Sequence, residues 1–180
     1  MTDHGVDLVT RALGRPLPFA CQRQPGPPAD GDDLPASLRF WLARDATLFD
    51  MDAEPEPRLP IGDLVEAELG EPWGEMFQEL SARFPSCVLL PGGSDSRRVL
   101  ALGHPDGAGE SAVFAVDCDD MPFIGLMYPG FDCYIADAAG LLRTSLDGYL
   151  WPVGDRVYEA RAKHHRDVRL GGATYLEFPF

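Results

Sequence analysis

Residues 98–142 restrict the fold most, because four short apolar runs there alternate with turn signals. The runs are residues 99–103, 112–116, 123–127 and 131–136. Between them stand His104-Pro105-Asp106-Gly107, Asp119-Asp120 and Tyr128-Pro129-Gly130. Short runs rich in Val, Ile and Phe, cut by Gly, Pro and Asp, argue an antiparallel meander. In the fourth run Phe131, Cys133 and Ile135 alternate with Asp132, Tyr134 and Ala136. That pattern predicts a strand with one buried and one wetter face. Asp137 is then placed to cap a helix over 138–150, whose Leu142, Leu146, Tyr149 and Leu150 pack back on the sheet.

The flanks supply more elements. Cys87-Val88-Leu89-Leu90 reads as the first strand and residues 174–178 as a last one. A helix over 4–13 carries Val6, Val9 and Leu13 on one face, with Gly14 as its stop. Residues 15–33 hold five prolines and read as an irregular arm. A second helix opens at Leu34, with Asp33 placed to cap it, Pro35 in its first turn, and Leu34, Leu38, Trp41 and Leu42 on one face. Leu64, Val65 and Leu69 mark a short helix ending at Gly70. Pro72 opens another, with Trp73, Phe77, Leu80 and Phe84 in a stripe. The expected fold class is α+β: an antiparallel sheet of about four to six strands with helices packed on it. The expected organisation is residues 1–33 as a helix and Pro-rich arm, 34–151 as the main domain, and 152–180 as a basic extension of the same globular unit.

Charge narrows the partners. At 180 residues and 45% apolar the chain can bury an ordinary core, so the net charge of −14 belongs to a folded surface. Such a surface repels nucleic-acid phosphate and speeds encounter with a basic protein. Residues 45–79 form the acidic block, with Arg58 its one basic residue. Asp50, Asp52, Glu54 and Glu56 lie in a proline-broken loop, and Glu71, Glu75 and Glu79 stand four apart on the outer face of a helix. The tail is basic: Arg156, Arg161, Lys163, Arg166 and Arg169 accompany His164 and His165, both read as surface. Such a tail can close over the acidic block or hold a second protomer. No run approaches the roughly 18 apolar residues of a membrane helix, and the start lacks a secretory pattern. Cys21, Cys87, Cys118 and Cys133 form no CxxC pair, so free thiols in a cytoplasmic protein are expected, with a Cys118–Cys133 bridge as the alternative.

Catalytic signals are sparse. Asp117, Asp119 and Asp120 are the best candidates for acid–base work or a hard cation, although Asp also favours turns by bonding its own backbone. Gly92-Gly93 lacks the following Gly-Lys-Ser/Thr of a phosphate loop, and residues 50–57 lack the glycine and closing glutamate of an EF-hand. No cofactor and no metal site is expected. His104 reads as a turn residue.

The stretch Leu102-Gly103-His104-Pro105, Val116-Asp117, Pro122-Phe123, Tyr128-Pro129-Gly130-Phe131-Asp132 and Ala136-Asp137 resembles the SMI1/KNR4 family, also called the SUKH superfamily. The Leu34-Pro35 helix is similar to that family's early Leu-Pro helix, and Ser145-Leu146-Asp147-Gly148-Tyr149-Leu150 to its later Ser-Phe-x-x-Phe-Leu segment. The resemblance implies an α+β domain without catalytic residues. Bacterial members of the family are immunity proteins that bind and neutralise toxins, often nucleases, and fungal members resemble signalling scaffolds. The leading expectation is therefore a non-enzymatic module that neutralises a basic toxin domain. Its candidate surface is the acidic block with Asp117, Asp119, Asp120 and an exposed Tyr128. A regulatory scaffold is the second reading and a small metal-dependent hydrolase the third.

Overall fold

The computed structural model describes residues 4–16, 34–44, 58–90, 97–105, 110–119, 121–142 and 155–180. Its centre is a five-stranded sheet in the order β1-β2-β3-β4-β5, with every neighbouring pair antiparallel. The strands are β1 (Cys87–Leu90), β2 (Arg98–Gly103), β3 (Val113–Asp117), β4 (Phe123–Tyr128) and β5 (Tyr175–Glu177). The helices are α1 (His4–Leu13), α2 (Ala36–Leu42), α3 (Ile61–Leu69), α4 (Glu71–Phe77), α5 (Phe131–Ala138) and α6 (Arg156–Arg169). A 3-10 turn, Gln78–Leu80, follows α4. The α+β class and the strand number agree with the sequence reading.

Both faces of the sheet are covered over β2, β3 and β4, and these strands are mostly buried on both sides. One core joins Leu8, Val9 and Ala12 of α1, Leu38, Trp41 and Leu42 of α2, and Phe131 and Ile135 of α5 to Leu100, Leu102, Val113 and Ala115 of the sheet. The other joins Ile61, Leu64 and Val65 of α3, Phe77 of α4, Leu80 and Phe84 to Val99, Ala101, Phe114, Val116, Ile124 and Leu126. Each large side chain buried this way contributes about 1.5–3 kcal/mol relative to exposure. Helix α6 serves both cores: Tyr158 enters the first, Ala162 and Leu170 the second. Residues 156–170 of the basic segment are thus packed into the folded body. Asp155 caps α6, its Oδ1 accepting from the Val157 and Tyr158 N–H groups at 2.9 and 3.4 Å.

The fourth apolar run is not a strand. Residues 131–138 form α5, with Gly130 at its N-cap. All six residues from Phe131 to Ala136 are buried, so the apparent alternation marked no wet face. Ala138 ends this helix instead of starting one, and Asp137 lies inside it. Leu146, Tyr149 and Leu150 lie outside the described residues. So do the arm from residue 17, Cys21 and Asp33; α2 starts at Ala36 with Pro35 at its N-cap.

A register shift in β4 positions the residues next to α5. Phe114 pairs with Leu126 but Val113 pairs with Tyr128, so Met127 is one residue too many for the ladder. The bulge turns Tyr128 from the face of Ile124 and Leu126 to the face of Val113. There its hydroxyl donates to Asp137 Oδ2 at 2.6 Å. Tyr128 is consequently buried, at 6% exposure, and not the exposed aromatic expected.

Candidate functional site

The expected acidic surface separates into three parts. Asp50, Asp52, Glu54, Glu56 and Asp120 lie outside the described residues. Asp117 is buried, and its Oδ2 accepts from Arg98 Nε at 3.0 Å and Nη2 at 2.7 Å. Its Oδ1 accepts the Asp119 N–H at 3.1 Å. Asp119 is exposed and pairs with Arg97 at 2.6 Å. Asp117 is thus buried against Arg98 and not part of an open surface, while Asp119 stays at the surface beside Arg97.

Glu71, Glu75 and Glu79 stand on an outer face, as their spacing predicts. All three are exposed on α4 and the 3-10 turn after it. They continue a face begun on α3, where Asp63, Glu66 and Glu68 are also exposed. Asp63 accepts from Gln78 Nε2 at 2.7 Å and so ties α3 to the 3-10 turn. Among the described residues, no Lys, Arg or His stands within ion-pair distance of Glu66, Glu68, Glu71, Glu75 or Glu79. The two helices approach closely because Gly74 of α4 has no side chain: a Cβ there would lie 3.0 Å from Glu66 Cα. The result is an outward field of one sign on a rigid helical pair.

A second concentration of charge lies inside the protein. Glu110 and Asp132 are 2% and 0% exposed. Glu110 accepts from Ser37 twice, from the hydroxyl at 2.6 Å and from the N–H at 3.3 Å. The second contact caps α2 from outside, since no side chain of its own does so. Asp132 Oδ2 pairs with Arg161 Nη1 at 2.8 Å, and its Oδ1 accepts the Cys133 N–H at 2.9 Å. Gly5 in the first turn of α1 stands against both acids: a Cβ there would meet Glu110 Oε1 at 2.8 Å and Asp132 Oδ2 at 3.2 Å. Gly130 is confined in the same way by Asp132 Oδ1 and Arg161 Nη1. Four helices, α1, α2, α5 and α6, meet at this cluster.

Two carboxylates share one guanidinium there. Burial first, then the negative charge of Asp132, pushes the Glu110 carboxyl up to about 7, against the pull of Ser37 and Arg161. Burial works against the charge of Arg161, and Asp132, Glu110 and Cys133 together outweigh it, so the guanidinium is held more firmly protonated than usual. Tyr158 lies next to this group, and burial followed by the charge of Asp132 raises its phenol well above the ordinary range.

The thiols are buried too. Cys87, Cys118 and Cys133 are free, so Cys118 and Cys133 are not bridged. Burial pushes Cys87 and Cys118 up to about 12 and raises Cys133 as well. Thiols of that kind are poor nucleophiles. His165 is buried, at 1% exposure, which corrects its reading as surface, while its neighbour His164 is partly exposed. Among the described residues no group of three His, Cys, Asp or Glu side chains is arranged to hold a metal ion, and no helix is long and apolar enough to cross a membrane.

The sequence reading missed Ser37, Glu110, Asp132 and Arg161 as a unit. One local signal was present. Phe131, Tyr134, Ile135 and Ala138 follow helical spacing up to Gly140, and a helix there turns Asp132 inward. Glu110 carries no local signal, because its partner Ser37 is 73 residues away.

No protein-family model matches the chain, and no curated protein matches it. Its fold is similar to that of an uncharacterized protein from Salmonella enterica subsp. enterica serovar typhimurium str. 14028s, with a TM-score of 0.50 and 14% identity over 98% of this chain and 96% of that one. At this identity the likeness speaks for the fold alone.

Proposed function

We propose that this chain is a non-catalytic binding module that docks a basic protein on the α3–α4 face, and that it neutralises a toxin domain in the manner of SMI1/KNR4-type immunity proteins. The observation that carries the reading is the set of five exposed glutamates, Glu66, Glu68, Glu71, Glu75 and Glu79, that no cation of the described chain pairs. The net charge of −14 adds a long-range field of the same sign. Nuclease toxins grip phosphate with basic surfaces, so this face is complementary to them. The motif resemblance set out above supports the immunity role.

The experiment pairs the protein with the purified product of a toxin-like gene adjacent to its own, by calorimetry at 50 mM and 300 mM salt. A complex at micromolar concentration or tighter is expected. Its association should slow as salt rises. Changing Glu71, Glu75 and Glu79 together to Lys should weaken it by at least tenfold, with the circular dichroism spectrum unchanged. No complex at low salt, or a complex indifferent to the triple change, overturns the proposal.

A further inference from the structure

We infer that the Glu110–Asp132 pair is a proton-loaded clasp: the docked state of α1 keeps one proton on the pair, and loss of that proton releases α1 from the body. The inference goes beyond the binding reading and does not depend on it.

Geometry carries it. Two carboxylates, 2% and 0% exposed, crowd the same point beside Gly5, and among the described residues Arg161 is the one buried cation that faces them. With both acids ionised the cluster holds one uncompensated negative charge away from water, which is costly. A proton on Glu110 removes it and leaves the Arg161–Asp132 pair balanced. Helix α2 offers the Ser37 hydroxyl and N–H, α5 offers Asp132, and α6 offers Arg161. Helix α1 presents Gly5, and its charged residues Asp7 and Arg11 face outward. The N-terminal turn of α1 itself favours negative charge, but burial outweighs it, as the upward displacement of the Glu110 carboxyl shows.

Linkage sets the direction. An acid whose protonation range is higher in the docked state than in the open one favours docking at low pH and opening at high pH. Glu110 moves from 4.5 to about 7, so the docked state loses ground as pH rises from about 4.5 to 7 and stays at its lower level above that. Release of α1 uncovers Leu8, Val9 and Ala12 and the surface of α5 beneath them. The clasp therefore couples solution pH between about 4.5 and 7 to exposure of an apolar face.

The test compares wild type with Glu110→Gln, which keeps the shape and the Ser37 acceptor but carries no charge. Urea unfolding is measured from pH 4.5 to pH 8.5. Relative to the variant, the wild-type unfolding constant should rise by roughly 100-fold over that range. Amide exchange of residues 5–12 should quicken with pH in the wild type beyond its chemical rate, and should not in the variant. Parallel pH profiles for the two proteins, or α1 amides that exchange no faster than the rest of the first core, overturn the inference. If the variant does not fold, the Glu110 side-chain carbonyl is followed by carbon-13 NMR in the wild type. A midpoint well above that of an ordinary glutamate supports the clasp, and an ordinary midpoint refutes it.

Discussion

Arg161→Met is the most exacting test of the buried cluster. The change keeps most of the side-chain length and removes the cation that faces Asp132 at 2.8 Å and counterbalances Glu110. Asp132 is wholly buried and the Arg161 side chain is 13% exposed, so water cannot replace the guanidinium without opening the cluster. Removing one partner of such a pair costs about 3–5 kcal/mol, a large share of the roughly 5–15 kcal/mol available to a domain. At about 2–4 °C per kcal/mol for a chain of this size, the melting temperature should fall by roughly 6–20 °C. The loss should be smaller at pH 5 than at pH 8. Without Arg161 the Glu110 carboxyl is pushed further up, and its protonation at low pH removes one of the two stranded charges. Urea and thermal unfolding at both pH values measure this, with Asp132→Asn and the double variant completing a mutant cycle. The double variant should be more stable than Arg161→Met alone, because it no longer strands the Asp132 charge. A cost below about 1 kcal/mol, or a double variant no better than the single one, refutes the idea that charge balance adds to the packing that holds the four helices together.

Two other changes probe separate contacts. Gly74→Ala should destabilise by about 1–3 kcal/mol in urea unfolding, since the added methyl collides with Glu66 on α3, even though alanine is the better helix former. Stability equal to or above wild type would show that α3 and α4 can part without cost. In a Cys21→Ser background, Cys87, Cys118 and Cys133 should react with a disulfide reagent at pH 8 no faster than the protein unfolds, because all three are buried with thiols held well above neutral. Rapid labelling of any of them in the native protein would contradict that burial.

The strands β1, β2, β3 and β4 were legible because each apolar run is bounded by Gly, Pro or Asp close to where its ladder ends. The helices α1, α3 and α4 were legible for the same reason, with Gly14, Gly70 and Pro72 as punctuation. Residues 131–136 misled because they are buried on every side: a run without an exposed face fits a strand period and a helix period alike. Asp117 looked free for chemistry because its partner Arg98 comes from the neighbouring strand, opposite it in the ladder. Arg161 looked like one more base in a basic tail, and only the packing of α6 turns it toward an acid 29 residues earlier. The exposed glutamates of α4 were the readable part of the candidate site, since a surface position needs no distant partner to define it.

Met127 shows how one residue can carry information that neither composition nor hydropathy holds. A strand encodes the side each residue faces as the parity of its position, odd or even. The bulge adds one to that count, so Tyr128 shares a side with Val113 and not with Leu126. The Tyr128–Asp137 hydrogen bond and the entry of α5 into the first core follow that altered parity. Smoothing that bulge, with Met127 paired to Val113, would leave the chain as apolar and as acidic as before, yet it would aim Tyr128 at the side of Ile124 and away from Asp137.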